Sequence, residues 1–245
     1  MSLEVRWLGR IAYPAAHARM AEALAQRLDG GPDVLLLCEH DPVYTLGRAR
    51  GARGNLIDPG DTPIVEVERG GDVTFHGPGQ LVGYPVVGLP PGRQDLRGFL
   101  RGLESVLIEV LAGFGLEAGR DARNTGVWLG GQKVASIGIA ARRWVIWHGF
   151  ALNLTTDLAY FRRIHPCGLD AALITRLADH LSPCPPMELV SERIAEAFVA
   201  WWAGWSNNSD LRLAEEPIKQ ASVAAGSPAE PAPNVASGPL IFPNR

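Results

Sequence analysis

A cysteine in a loop bracketed by proline and glycine has the plainest capacity for covalent chemistry in this chain: Cys167, in Ile164-His165-Pro166-Cys167-Gly168. A thiol attacks carbonyl carbon as the thiolate, and at an ordinary pKa of about 8.5 it needs a nearby cation or base to ionise at neutral pH. Lys133, His76, His148 and His165 are the candidates for that role. A lysine held in a desolvated pocket can take the thiol proton and later return it. Lys133 opens an apolar segment with Val134, Ala135 and Ile137 beside it, a setting that lowers an ammonium pKa. Spacing alone does not choose between these bases. A lone lysine beside a turn is ordinarily solvated and a lone loop cysteine ordinarily unreactive, so neither carries the argument by itself. A metal centre built from His76, His148, His165 and Cys167 lacks the short ligand spacings of zinc sites, and none is expected.

A second stretch, Arg69 to Gln80, reads RGGDVTFHGPGQ. Gly70 and Gly71 permit positive φ and close approach of backbone to a partner, while Arg69 and His76 add a fixed cation and a titratable ring. The strand-like runs Ile64 to Glu68 and Leu81 to Leu89 flank it, which predicts a turn between paired strands that could cradle a carbonyl or phosphate head group. The plain alternative is a glycine-rich hairpin with a structural histidine.

Those residues need a scaffold, and 245 residues with 47% apolar side chains suffice for one sizeable core. A net charge of -3 gives the whole chain no reason to seek nucleic acid or an anionic membrane. Three cysteines, Cys38, Cys167 and Cys184, are too few and too scattered for a disulfide framework, so a reducing cytoplasmic setting is expected. The segment MSLEVRWLGR carries neither a secretory h-region nor a membrane span.

Along the chain, Leu3 to Leu8 reads as a strand and Tyr13 to Leu28 as an alanine-rich helix stopped by Gly30-Gly31. Val34 to Cys38 reads as a buried strand delivering Glu39 to Pro42 into a loop, with Cys38 packed inside. Tyr44 to Gly54, with Arg48, Arg50 and Arg53, reads as a solvated loop, with binding of an acidic partner the lesser alternative. Leu96 to Phe114 is the clearest amphipathic helix. Thr125 to Leu129, Gly130-Gly131, Gln132 to Ala140 and Trp144 to Asn153 form a three-stranded meander. Helices are predicted over Ala172 to His180 and Met187 to Trp202. The catalytic unit is expected over 1-205, and 206-245, rich in Ala, Pro, Ser and Asn, reads as a tail unable to offset its ordering entropy. Arg142-Arg143 and Arg162-Arg163 are ordinary surface charge or a docking patch for an acidic carrier domain.

Taken together, RGGDVTFHGPGQ with Gly83-Tyr84-Pro85, the block from Asn124 to Gly168, and LLLCEHDPVYTLGR from Leu35 to Arg48 closely resemble the lipoyl(octanoyl) transferases. The resemblance covers about Leu3 to Trp202. It implies an α/β (α+β) fold, a mixed sheet with packed helices like the catalytic domains of biotin and lipoate protein ligases. It implies transfer of octanoyl from acyl carrier protein to a lysine of lipoyl domains, those of 2-oxoacid dehydrogenase E2 subunits and the glycine cleavage H protein, with no cofactor. By that resemblance Cys167 carries the acyl thioester and Lys133 is the general acid and base. Substrate contacts carry over to Arg69, Gly70, Gly71, Asp72, Val73, Thr74, Phe75 and His76, to Ser136, Ile137 and Gly138, and to Gly149, Phe150 and Ala151. Gly71, Gly138 and Ala151 are expected to line an acyl tunnel closely. An ATP-dependent lipoate or octanoate ligase and a non-catalytic acyl-binding module are the competing readings.

Overall fold

The computed structural model describes residues 3–206, 219–220 and 240–241. Strand β1 (Leu3–Ile11) leads into helix α1 (Tyr13–Leu28), which has Pro14 in its first turn and ends before Gly30 at φ 89. β2 (Asp33–His40) runs parallel to β1. Its continuous apolar run follows from having both faces covered: Leu35 and Leu37 join one core, Val34, Leu36 and Cys38 the other.

A small sheet comes next, from β3 (Val43–Leu46), β4 (Ile64–Glu66) and β5 (Val73–His76), in the order β4-β3-β5. The main sheet continues with β6 (Gln80–Gly88), then α2 (Leu96–Ala112), β7 (Ala118–Asp121), β8 (Asn124–Leu129), β9 (Gln132–Arg142) and β10 (Val145–Asn153). Helix α3 (Met187–Ser206) follows, and two-residue strands β11 (Lys219–Gln220) and β12 (Leu240–Ile241) pair with β1 and β9. The sheet order is β11-β1-β2-β6-β10-β9-β8-β7, mixed because β1 and β2 are parallel and β2 through β7 antiparallel.

Helices α2 and α3 cover one face and α1 the other. Asp95 caps α2 by accepting from Gly98 N at 3.0 Å. Phe99 of α2 meets Trp201, Trp202 and Trp205 of α3 edge-on. A third core, Tyr44, Leu46, Val73, Phe75, Phe161, Ile164 and Ile174, closes the small sheet. No helix among the described residues is long and apolar enough to cross a membrane.

Three expectations are corrected. RGGDVTFHGPGQ is not a turn between paired strands: β5 lies within it, β4 belongs to the small sheet and β6 to the large one. Tyr44 to Gly54 is not simply a solvated loop, for Tyr44 is fully buried in β3 and its hydroxyl donates to Tyr160 O at 2.8 Å. Ala172 to His180 is not a helix. Thr175 N donates to Lys133 O at 3.0 Å and Ile174 bridges to Lys133, so an extended pairing with β9 takes the backbone groups a helix would use, leaving single turns at Ala171–Leu173 and Leu177–Asp179. The tail expected over 206-245 lies outside the described residues apart from Ser206 and the two short strands.

Candidate active site

The wall of the site is made by the ladder between β9 and β10. Its register sets Gly138 opposite Gly149, Ile137 opposite Phe150 and Ser136 opposite Ala151, so two sequence blocks become one surface. Bare backbone matters there: a Cβ on Gly149 would stand 2.2 Å from Gly83 O, and one on Gly138 would stand 3.0 Å from Gly70 O. The second contact seats the Arg69 segment on β9, where Gly70 N donates to Ile139 O at 2.9 Å.

Arg69, 9% exposed, donates to Thr45 O and Thr45 Oγ1, both at 2.9 Å. Alternation along β5 then sorts its residues. Thr74 and His76 face a slot of about 50 Å³ that is also bounded by Arg69, Gly70, Gly71, Ser136 to Gly138 and Gly149 to Ala151. Val73 and Phe75 face the other way into the small-sheet core, Phe75 stacked on Tyr160 at 4.3 Å. Asp72 also stands off the slot and takes a hydrogen bond from Asn55. Tyr13, Val82, Tyr84 and His148 complete the lining. None of these four was assigned as a substrate contact, because helix or strand periodicity marks them only as core; His148 was weighed as a base.

Ring nitrogens here have definite roles. Gln80 Nε2 donates to Phe75 O and Asn153 Oδ1, so its Oε1 faces His76 Nδ1 at 2.7 Å and the His76 proton sits on Nδ1. His40 Nδ1 donates to Ile11 O at 2.9 Å, leaving Nε2 to accept from the Tyr84 hydroxyl at 2.8 Å. Burial pulls His40 down to about 4, and burial together with the nearby His40 pulls His76 well below the usual imidazole range. Burial pushes the Tyr84 hydroxyl up. Both imidazoles and the phenol are therefore neutral at neutral pH.

Lys133 lies on the slot at 2% exposure, its Nζ donating to Asn124 Oδ1 at 2.7 Å. Gly126, at φ 144, makes room for its stem, since a Cβ there would lie 2.5 Å from Lys133 Cε. Glu104, on the buried face of α2, accepts from Gly126 N at 3.0 Å and from Arg120 at 2.8 Å, which holds β8 in place. One compositional signal could have singled this lysine out: it is one of only two among 23 basic residues. Arginine serves surface charge equally well, and it cannot give up its proton.

The turn Pro166–Gly168, which carries Cys167, packs on β5, with His165 N donating to Asn55 O at 2.8 Å. Beside it opens a basin of about 790 Å³ walled by Gln132, Arg162, His165, Gly168, Thr175 and His180. The other thiols are poor nucleophiles: burial pushes both Cys38 and Cys184 up, and Cys38 is sealed in the sheet as expected.

Residues 13–199 match the lipoyl protein ligase A/B catalytic domain. An octanoyltransferase of Geobacter metallireducens is 51% identical over 196 residues, covering 79% of this chain and 91% of that one. A lipoate-protein ligase A bound with ATP superposes with a TM-score of 0.65 at 15% identity, covering 87% and 89% of the two chains. A biotin protein ligase of Aquifex aeolicus does so at 0.51 and 10%, covering 85% and 72%. At such identities the last two establish a shared fold, the mixed sheet with packed helices expected from the sequence. The extent of the domain match and the close sequence relative establish the rest: this chain belongs to the lipoyl(octanoyl) transferase family, built on the lipoyl protein ligase A/B catalytic domain.

Proposed function

We propose that the chain is a cytoplasmic acyltransferase of lipoate biosynthesis that moves octanoyl from an octanoyl-acyl carrier protein to a lysine of lipoyl domains. The acceptors are lipoyl domains of 2-oxoacid dehydrogenase E2 subunits and the glycine cleavage H protein. Cys167 is the nucleophile and Lys133 the general acid and base. The observation that carries this reading is Lys133 itself, a lysine at 2% exposure on a slot whose wall is Ser136 to Gly138 paired with Gly149 to Ala151.

In the first half, the Cys167 thiol gives its proton to Lys133 and the sulfur attacks the donor thioester carbonyl; the carbon–sulfur bond to the carrier arm breaks and the departing thiolate takes the proton back. One thioester replaces another, so no nucleotide is needed. In the second half, the acceptor amine attacks the acyl-enzyme, Cys167 leaves, and Lys133 receives the amine proton. The amide is the more stable product, which sets the direction. The basin beside the 166–168 turn offers the carrier arm an approach, and the slot takes the acyl chain.

Each buried methylene contributes roughly 0.8 kcal/mol, about 5 kcal/mol for the whole tail. A slot of about 50 Å³ holds only a few waters, so its lining has to give way to admit the whole chain.

Intact-mass measurement after mixing with octanoyl carrier protein tests this. The expected result is a hydroxylamine-labile octanoyl adduct, absent in Cys167→Ser. Acceptor octanoylation from free octanoate and ATP, with Cys167→Ser fully active, would instead establish the ligase reading.

A further inference from the structure

Where His148 lines the slot, it meets two side chains from other elements to which the proton transfers above assign no part. His17 of α1, Glu68 beyond β4 and His148 of β10 bring their ligand atoms within 4.8 Å of one another. His17 Nε2 lies 3.1 Å from Glu68 Oε2, and His148 Nε2 lies 3.5 Å from the same oxygen. His148 is 1% exposed, and beyond the 3.5 Å approach to the Glu68 carboxylate its Nε2 makes no well-aligned hydrogen bond among the described residues. A buried polar atom left without a partner costs about 1–3 kcal/mol, so something that satisfies it has reason to bind.

The donor set and its spacing say what that something is. Two imidazoles and a carboxylate are the three protein ligands of zinc sites that keep an open fourth position. Tetrahedral zinc with bonds of about 2.0–2.1 Å sets neighbouring ligand atoms about 3.3 Å apart. The observed 3.1 and 3.5 Å bracket that separation. Two neutral imidazoles with one carboxylate carry a single negative charge for a dication. Arg69, whose charge reaches His148, directs hydrogen bonds to Thr45 and the Gly70 carbonyl.

We propose that His17, Glu68 and His148 form a binding site for a zinc-class divalent cation, which ties α1 to the slot wall. The ligands come from three separate elements, which is why no short spacing betrays them in the sequence. Glu68 immediately precedes Arg69 and His148 immediately precedes Gly149, so a bound ion would brace both flanks of the slot.

Titration of the chelator-treated, full-length protein with Co2+ tests this. One equivalent should bind with the strong visible bands of a four-coordinate ion and without a sulfur-to-cobalt charge-transfer band. Zn2+ should displace it and raise the melting midpoint. His17→Ala, a change at a half-exposed helix position, should weaken Co2+ binding by more than about a hundredfold, beyond the loss an outer-shell partner gives. Glu68→Gln should do the same, and Cys167→Ser should bind as the parent does. The proposal is overturned if no stoichiometric binding occurs, if folded His17→Ala binds as well as the parent, or if binding shows thiolate bands and disappears in Cys167→Ser.

Discussion

Replacing Asn124 by alanine isolates the partner of Lys133 with little disturbance to the fold, because Asn124 is half-buried at the first position of β8 and its side chain meets the lysine at 2.7 Å. When the thiol proton reaches Lys133, the resulting ammonium keeps that carbonyl as an acceptor. A hydrogen bond to a charged group contributes about 1.5–3 kcal/mol. At about 1.4 kcal/mol per tenfold in rate, Asn124→Ala should slow acylation of Cys167 by roughly 10- to 150-fold. Quench-flow with intact-mass detection measures that step directly, and a thermal melt run in parallel shows whether the fold is retained. Asn124→Asp sharpens the test: a carboxylate beside the ammonium favours proton uptake but hinders its return to the departing carrier thiolate, so acylation should slow while the amine step that follows does not. Acylation at the parental rate in Asn124→Ala, with an unchanged melting midpoint, would refute the idea that Asn124 poises Lys133.

Gly149→Ala should lower the melting midpoint by about 6–12 °C, because its methyl would stand 2.2 Å from Gly83 O and 2.5 Å from Pro85 Cδ, an overpacking worth about 3 kcal/mol in a domain of this size; no change in a calorimetric scan would mean that β6 and β10 do not approach so closely. Glu104→Ala removes a buried acceptor from Arg101, Arg120 and Gly126 N, and the orphaned Gly126 N–H should cost about 1–3 kcal/mol and also slow acylation by loosening β8 beside Lys133; normal acylation kinetics in a destabilised variant would confine Glu104 to stability. His40 predicts the pH response. Its folded pKa of about 4 lies below the ordinary 6.5, so the unfolded chain binds the extra proton between those values; its share of the stability is fully present above 6.5 and falls by about 3 kcal/mol as pH drops to 4, and His76 and His148, lowered by burial too, add loss in the same direction. Urea midpoints at pH 7 and pH 4.5 read this, and an equal loss in His40→Gln would assign it elsewhere.

What could be read along the chain was whatever its chemistry settles within a few residues. Tyr13 to Leu28 declared itself by helical spacing and a glycine stop, and Gly130-Gly131 marked the β8–β9 hairpin, because periodicity and turn chemistry act over one or two turns of backbone. Of the substrate contacts the family blocks point to, Asp72, Val73 and Phe75 stand off the slot and the others border it. Where the local signal competed with a distant partner, the partner prevailed: Ile174 and Thr175 pair with Lys133 rather than coiling, and β5 leaves its neighbours in sequence to join β3. Alternation on β5 then separated Thr74 and His76 from Val73 and Phe75, a division that depends on which face meets the slot. Residue type and order sufficed for the family and its candidate chemistry. The register that sets Gly138 against Gly149, the burial of Lys133 beside Asn124, and the meeting of His17, Glu68 and His148 were decided by tertiary structure, since each joins segments whose separation along the chain carries no local energy.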